Sequence, residues 1–340
     1  MTSLRQYSIC AIVIALLSSA AAAQTYTITD LGLLSGSDGA FAYGVNDLAQ
    51  VTGGASFPGN SEAFFWTKSH GVRQLKAPPG YSSLVAYALN NLGDSVGQAV
   101  TPSGGHAMLW THDGEVIDLG TPPGFQSSTA YDVNDRGVVA GWGSSNPAFI
   151  WTRSKGFYVL PTLPGSFQTV AWRINLRNHV VGFADFDNGT THAFLWTPEK
   201  GIRNLGIPPG GNISEALGNN NFGQIVGDGG VLGEEHALLW REDGEDVIDL
   251  GVLPGDGASL AYAVNDFGQV VGYSGSSNSS DDRAFVWTRD RGMEDLNNLI
   301  PAGSGWVLST ATFINLEGMI CGYGTFNGTT HGFLLTPTHN

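Results

Sequence analysis

Short runs in which apolar and polar residues alternate recur along the whole chain, bounded by Gly, Asn or Asp. One such run, Leu260 to Val264, is followed by an Asn-Asp-x-Gly turn and by the valine-rich run Gln269 to Gly272. A polar stretch then leads to Ala284 to Thr288, and a second short turn leads to Met293 to Leu296. Alternation predicts half-buried strands, and Asn with Gly supplies tight hairpin turns. The unit therefore predicts four short antiparallel strands.

This unit occurs seven times. Its turn asparagines follow one another at intervals of 41 to 50 residues, at Asn46, Asn90, Asn134, Asn175, Asn220, Asn265 and Asn315. A glycine follows each asparagine seven residues later, at Gly53, Gly97, Gly141, Gly182, Gly227, Gly272 and Gly322. Four short strands in roughly 45 residues is the period of a propeller blade. The sequence predicts an all-β fold: a seven-bladed β-propeller of four-stranded antiparallel blades.

The two ends of the repeat array are complementary. A spare fourth segment, Tyr26 to Leu31, precedes the first turn, and the last repeat ends after its third segment, His331 to Thr336. Pairing these two segments would close the ring and remove exposed sheet edges, which otherwise invite aggregation. We therefore predict that the N-terminal strand completes the last blade.

The first 23 residues differ from the rest. Arg5 precedes the apolar run Ile9 to Leu17, and Ala21 to Ala23 offers a small-residue cleavage site, so residues 1–23 are predicted to be a signal peptide. Residues 24–340 form the predicted single propeller domain, secreted and extracellular.

The 30 acidic side chains outnumber the 15 basic ones, which disfavours nucleic acid and anionic membranes as partners. Cys321 then remains without a disulfide partner and is expected to be buried. We expect a monomer.

The motifs resemble a known repeat family. His192 to Thr197, Asp249 to Gly251 and Asn265 to Gly272 are similar to the HAF-type extracellular repeat of bacterial secreted proteins, and the resemblance covers residues 26–336. It implies a secreted bacterial protein but no activity, and therefore no functional residues. The fourth and seventh repeats depart most, in their turns and in Leu335, which replaces the tryptophan of the other repeats.

Residues present in every repeat are expected to serve folding, so departures from the repeat are the candidates for function. Two residues before the turn asparagine, most repeats have small residues, but adjacent repeats have Asp132 and Arg173. We predict an ion pair between them, flanked by Trp172, that is either structural or part of a polar ligand site. The unrepeated Trp142 and Trp306 complete the predicted ligand-binding set, because aromatic faces suit sugar rings.

A second departure is acidic. Loops of the fifth and sixth repeats are expected to converge, and they carry Glu215, Asp228, Glu234, Glu235, Asp256, Asp281 and Asp282. Glu234, Glu235, Asp256, Asp281 and Asp282 form a candidate calcium site, because calcium prefers several hard oxygen ligands. The same patch could meet a basic partner, or could be a solvated rim that aids solubility. No other cofactor is indicated.

No nucleophile elbow, phosphate loop or redox pair occurs in the sequence. Glu215 with Glu234 or Glu235 is the set that an enzyme could use as acid and base. The leading interpretation is a secreted, non-enzymatic binding module for a carbohydrate or protein partner. The alternatives are a passive structural or cell-surface component, and a glycosidase or lyase acting on a polysaccharide.

Overall fold

The computed structural model of the protein describes residues 24–144, 147–231, 234–242, 247–276 and 281–338. The predicted signal peptide, residues 1–23, lies outside the described residues. Within the described ranges the chain consists of strands and turns, with one short 3-10 helix at Leu296–Asn298. The all-β prediction is confirmed.

The strands of the first half follow the predicted repeat. They are β1 (Tyr26–Asp30), β2 (Gly39–Val45), β3 (Val51–Phe57), β4 (Asn60–Thr67), β5 (Gly71–Gln74), β6 (Ser83–Leu89), β7 (Ser95–Thr101), β8 (Gly104–Trp110), β9 (Val116–Gly120), β10 (Ser128–Val133), β11 (Val139–Gly143), β12 (Ala148–Thr152) and β13 (Gly156–Val159).

The second half continues the same pattern to the last repeat. Its strands are β14 (Ser166–Ile174), β15 (Val180–Phe186), β16 (Thr191–Thr197), β17 (Gly201–Gly206), β18 (Ser214–Asn219), β19 (Gln224–Val231), β20 (Glu234–Arg241), β21 (Val247–Asp249), β22 (Ala258–Val264), β23 (Val270–Gly275), β24 (Arg283–Thr288), β25 (Gly292–Asp295), β26 (Trp306–Ile314), β27 (Ile320–Phe326) and β28 (Thr329–Pro337).

Consecutive strands build the sheets. In the described residues, each repeat from the second to the sixth forms one four-stranded antiparallel sheet, as β6 to β9 do. The first and last repeats share an eight-stranded sheet. Its two four-stranded parts are joined through one parallel bridge, between Gly39 and Thr330. Four-stranded antiparallel units are therefore the building blocks, as predicted.

The N-terminal strand pairs where the sequence predicts. β1 lies antiparallel to β28, with the register running from Tyr26 opposite Pro337 to Asp30 opposite Phe333. The backbone N–H of Thr338 donates to the carbonyl oxygen of Thr25 at 2.8 Å. The first strand of the chain thus covers the edge of the last one.

The turn asparagine organises the first hairpin of each repeat. In the fifth repeat, the Asn220 carboxamide oxygen accepts the backbone N–H groups of Phe222 and Gln224 at 3.0 and 2.9 Å. The fourth residue of the turn has positive φ, and it is Gly in five repeats, Asn178 in the fourth and Ala49 in the first. Asn tolerates this conformation better than Ala, since its side chain can bond locally.

The same asparagines also connect neighbouring repeats. Each carboxamide nitrogen donates to the backbone carbonyl oxygen of the next turn asparagine, at N···O distances of 2.8 to 3.3 Å. The last one, Asn315, donates to the carbonyl oxygen of the first one, Asn46, at 2.8 Å. The seven hydrogen bonds therefore form a cycle through buried side chains.

The glycine that follows each asparagine permits close backbone approach. A Cβ atom on Gly227 would lie 1.8 Å from the carbonyl oxygen of Glu215, and one on Gly53 would lie 2.0 Å from that of Phe41. The pairing register of the first two strands also shifts here, through a β-bulge such as the one between Ala216 and Gly218. Any side chain at this position would force the two strands apart.

The core lies between the faces of neighbouring sheets. Each third strand supplies a fully buried side chain at the same position, and these are Phe64, Met108, Phe149, Phe194, Leu238, Phe285 and Phe333. The repeated tryptophans pack beside them. One core cluster joins Leu31, Phe64 and Trp66 of the first repeat to Leu334 and Cys321 of the last. Cys321 is a buried free thiol, as predicted.

Replacing Asn220 by alanine should lower the free energy of unfolding by roughly 2–4 kcal/mol, because it removes the buried hydrogen bond to the Asn265 carbonyl oxygen and the side-chain acceptor of two backbone N–H groups in its own turn. Urea unfolding measures the change. Phe222→Ala in the same turn is the control, since this side chain is 76% exposed. Equal losses in the two variants would contradict a special role for the asparagine.

Candidate ligand-binding site

The seven asparagine turns surround a small cavity. It encloses about 160 Å³ and is lined by the turn residues together with Asp132, Arg173 and Phe313. Ligand pockets for small molecules usually measure roughly 300–1,000 Å³. The cavity is therefore small for a saccharide or a peptide.

Asp132 and Arg173 form the predicted ion pair. Arg173 Nη1 lies 3.7 Å from Asp132 Oδ1, and Asp132 Oδ2 accepts the backbone N–H of Ile174 at 2.9 Å. The Arg173 guanidinium carbon also lies 4.9 Å from the centre of the Phe313 ring. Burial raises the pKa of Asp132, and Arg173 opposes that shift. Both charged groups have partners within the protein, which is what a structural ion pair requires.

The three predicted tryptophans do not share one surface. The Trp172 ring centre is 4.3 Å from that of Tyr131, and Trp142 lies on β11 opposite Thr129. The indole N–H groups of Trp142 and Trp172 are buried without a hydrogen-bond partner. Trp306 lies apart from them in the core, stacked on Phe326 with ring centres 4.9 Å apart. Their role in ligand binding stays a prediction.

The histidines of the third strands serve the sheets. His106, His236 and His331 contact Asp118, Asp249 and Asp30 with Nδ1 to carboxylate distances of 2.9 to 3.1 Å. Each of these aspartates also accepts the backbone N–H of a glycine two residues later. The contacts recur in several repeats, in agreement with a structural role.

The strongest departure from the repeat is a pair of acids on the first two strands of the fifth repeat. The residues that follow the repeat glycine are Gly54, Gln98, Trp142, Phe183, Asp228, Tyr273 and Tyr323. The residues opposite them are Phe41, Val85, Thr129, Val170, Glu215, Leu260 and, next to a register shift, Thr310. Only the fifth repeat has ionisable carboxyl groups at this pair of positions.

Glu215 and Asp228 are directly opposite on β18 and β19. Such partners point to the same face of a sheet, with Cβ atoms roughly 4.5–5.5 Å apart. Asp228 is only 4% exposed, and its Oδ1 atom has no hydrogen-bond partner among the residues that the structure describes. A buried oxygen without a partner costs stability unless something outside the chain donates to it.

The acid pair faces the sixth repeat. In the second repeat, the equivalent Gln98 donates from Nε2 to Thr129 Oγ1 of the next repeat at 2.6 Å. In the sixth repeat, the residue equivalent to Thr129 is Leu260, whose side chain neither donates nor accepts hydrogen bonds. Tyr262 and Tyr273 lie near Asp228 in that repeat: burial raises the pKa of both phenols, and the Asp228 charge raises it further. The ring centres of these tyrosines are 6.1 Å apart. We call Glu215, Asp228, Tyr262 and Tyr273 the acidic recess.

The recess holds its carboxyl groups near their titration points at neutral pH. Burial, followed by the charges of Asp185 and Glu235, raises the pKa of Glu215 to about 7. Burial, followed by Glu215 and Glu235, raises the pKa of Asp228 to about 8. The pair is therefore partly protonated at neutral pH, and it can accept hydrogen bonds from a ligand or transfer protons.

Sequence reasoning found these acids but grouped them differently. It paired Glu215 with Glu234 or Glu235, whereas the strand register places Asp228 opposite Glu215. Glu234 and Glu235 are exposed at the start of β20. Comparing the residue after each repeat glycine would have identified Asp228, since the other repeats have neutral residues there.

The predicted calcium ligands are partly engaged within the protein. Asp256 contacts Arg283 at 2.9 Å and accepts the Ser274 hydroxyl at 2.7 Å. Arg283 also contacts Asp295 at 3.3 Å. In the described part of the chain, no three His, Cys, Asp or Glu side chains are placed to hold one metal ion. Calcium binding at this rim stays a prediction, without a preformed site among these residues.

Neither a family model nor a curated protein matches the chain. Solved structures do match, although at low sequence identity. A catalytically inactive virginiamycin B lyase from Staphylococcus aureus has a TM-score of 0.55 at 12% identity, over 91% of this chain and 99% of that one. The β-propeller domain of the trilobed protease from Pyrococcus furiosus has a TM-score of 0.58 at 9% identity, over 87% and 95%. The fold is a β-propeller.

Oligogalacturonate lyase from Vibrio parahaemolyticus resembles this propeller to a similar degree, with a TM-score of 0.57 at 10% identity over 91% of this chain and 93% of that one. At such identities the likeness concerns the fold alone. Among the described residues of the propeller, no helix is long and apolar enough to cross a membrane.

Asp228→Asn should flatten the dependence of stability on pH. The pKa values of Glu215 and Asp228 rise on folding from 4.5 to about 7 and from 3.8 to about 8. The folded protein then binds more protons than the unfolded chain between these values, so the pair makes stability fall as pH rises through that window.

Urea unfolding at several pH values between about 5 and 8.5 measures this slope in the wild type and in Asp228→Asn. Asp187→Asn is the control, because it removes an exposed acid from a neighbouring turn. Identical slopes for the wild type and Asp228→Asn would show that the Asp228 carboxyl does not titrate in this range.

Proposed function

We propose that the chain is a closed propeller of seven blades, in which β1 is the outermost strand of the blade that contains β26 to β28. The pairing of β1 with β28 supports this, as does the hydrogen bond from Asn315 to Asn46. The contact of His331 with Asp30 repeats, across the chain ends, the histidine–aspartate contact of two other blades.

The propeller is proposed to act outside the cell. The support comes from the sequence: the HAF-type motifs of the blades and the signal-peptide pattern of residues 1–23. The excess of acidic side chains suits a soluble extracellular protein.

The propeller is further proposed to bind an extracellular carbohydrate or protein partner at the acidic recess between its fifth and sixth blades. The observation that carries this proposal is the Asp228 carboxylate, which is buried and has an oxygen without a donor. The fold does not require an acid there, because the other blades have neutral residues at the same position. Groups that cost stability without serving the fold are concentrated at functional sites.

One enzymatic alternative has a specific observation in its favour. Glu215 and Asp228 are adjacent carboxyl groups with raised pKa values, and acid–base catalysis uses groups that titrate near the operating pH. A glycosidase or lyase would use one of them to donate and the other to accept a proton. Two structural neighbours are lyases by name, which supports the propeller as a compatible scaffold and no more.

The proposed binding site is tested by replacing Glu215 and Asp228 with the residues at the equivalent positions of the sixth blade. The double variant Glu215→Leu with Asp228→Tyr copies Leu260 and Tyr273. It should abolish partner binding and raise the free energy of unfolding by about 1–4 kcal/mol at pH 8, because two buried carboxyl groups are replaced by packed neutral side chains. Screening the mature protein against a glycan array and extracellular proteins measures binding.

The matched control is Val170→Leu with Phe183→Tyr, the same exchange in the fourth blade, which should keep partner binding. Product analysis of each bound glycan separates the alternatives, since a lyase or glycosidase would convert it over time. A wild-type protein that binds nothing, with a double variant that is less stable, would contradict the proposal and favour a passive structural component.

A further inference from the structure

We propose that the acidic recess recognises a primary ammonium group of its ligand, carried by an amino sugar or by a lysine side chain. The inference rests on the proposed binding function and names the chemistry that this site selects. Its starting point is the hydrogen-bonding capacity of Glu215 and Asp228, which lie opposite each other on neighbouring strands.

The recess offers an acceptor that its own phenol O–H groups do not fill. Asp228 Oδ1 is buried without a hydrogen-bond partner, and Glu215 lies directly opposite. In its ionised form Asp228 only accepts hydrogen bonds, so a ligand group that binds at Oδ1 and keeps the carboxylate ionised must carry N–H or O–H donors. An ammonium group has three N–H donors and a compact positive charge, and its hydrogen bonds to carboxylates are among the strongest in proteins.

The surroundings of the acid pair are negative and aromatic. The side chains whose charges act on Glu215 and Asp228 include Asp185 and Glu235, and both are acids. β19 packs against β22 of the sixth blade, and the Asp228 charge acts on Tyr262 and Tyr273 there. Aromatic rings attract cations through their negative faces, and the attraction grows where water is excluded. An organic cation satisfies both features.

A divalent metal ion fits the recess less well. Calcium takes six to eight oxygen ligands. Within the described ranges, no three His, Cys, Asp or Glu side chains converge on one point. Two carboxyl groups beside two phenol rings match a singly charged ammonium group better in both charge and ligand number.

Binding should be linked to pH. Glu215 and Asp228 are partly protonated near neutral pH, and a bound cation would displace protons from them. The titratable groups around the pair are Asp185 and Glu235 on the acidic side, with Tyr262, Tyr273 and, beside Tyr273, Asp282 on the sixth blade. For a lysine probe, which stays charged up to about pH 10, affinity should rise as pH rises from 6 to about 8.5, with release of a proton.

Isothermal titration calorimetry with two matched probe pairs tests the inference. The first pair is the trimer of glucosamine and its fully N-acetylated counterpart at pH 7. The second pair is Nα-acetyl-lysine amide and Nα-acetyl-norleucine amide at pH 8. In at least one pair, the ammonium probe should bind the wild type about tenfold or more tightly than its neutral counterpart, a difference of about 1.4 kcal/mol. The pair that responds identifies the source of the ammonium group.

Asp228→Asn and Glu215→Gln should each remove this preference, whereas Asp187→Asn, an exposed acid on a neighbouring turn, should keep it. Thermal unfolding of each variant establishes that it is folded, and repeating the lysine titration in buffers of different ionisation enthalpy counts the released protons.

Equal binding of charged and neutral probes would overturn the inference but leave the proposed binding function in place. Binding of calcium chloride that depends on Asp228, without binding of either ammonium probe, would assign the recess to a metal ion instead. An unchanged ammonium preference in Asp228→Asn would place the recognition elsewhere and would overturn both the inference and the proposed site.

Discussion

The hydrogen bond from each turn asparagine to the carbonyl oxygen of the next turn asparagine holds the molecule together from blade to blade. The blades also meet through apolar faces and through further polar contacts such as Gln98 with Thr129, but apolar contacts alone fix neither the order nor the register of neighbouring sheets. The asparagine supplies direction, because its amide nitrogen donates to one neighbour while its amide oxygen caps its own turn. The last of these hydrogen bonds joins Asn315 to Asn46, the first turn asparagine.

A repeated scaffold separates folding from function. Every blade needs the same turn, the same close approach of two strands and the same core side chain. The turn asparagines, the repeat glycines and the buried residues of the third strands recur for this reason. The acids of the recess do not recur, and Glu215 and Asp228 oppose folding at neutral pH through their burial. The Asp132–Arg173 pair is also unique, yet its charges are satisfied within the protein. The Asp132–Arg173 pair therefore has partners within the protein, whereas Asp228 Oδ1 has none among the described residues.

The sequence alone was sufficient for the strands, the turns and the pairing of the chain ends, because each follows from local periodicity or from counting segments. It also predicted the Asp132–Arg173 contact, since equivalent positions in adjacent blades are neighbours. It missed the pairing of Glu215 with Asp228, which depends on the register across the bulge at Ala216 and Gly218. It also grouped Trp306 with Trp142 and Trp172, although the longer connection before β26 places Trp306 in the core.

The central claim is that the two chain ends complete one closed ring. The hydroxyl oxygens of Thr25 and Thr338 are 2.5 Å apart, so cysteines at both positions should form an intramolecular disulfide in air. Mass spectrometry with thiol labelling under non-reducing conditions detects it. The closed ring predicts that the engineered thiols disappear in the monomer, while a control pair at Thr25 and Thr325, on a different strand, stays reduced. Free thiols at both ends of the folded monomer would contradict the closed ring.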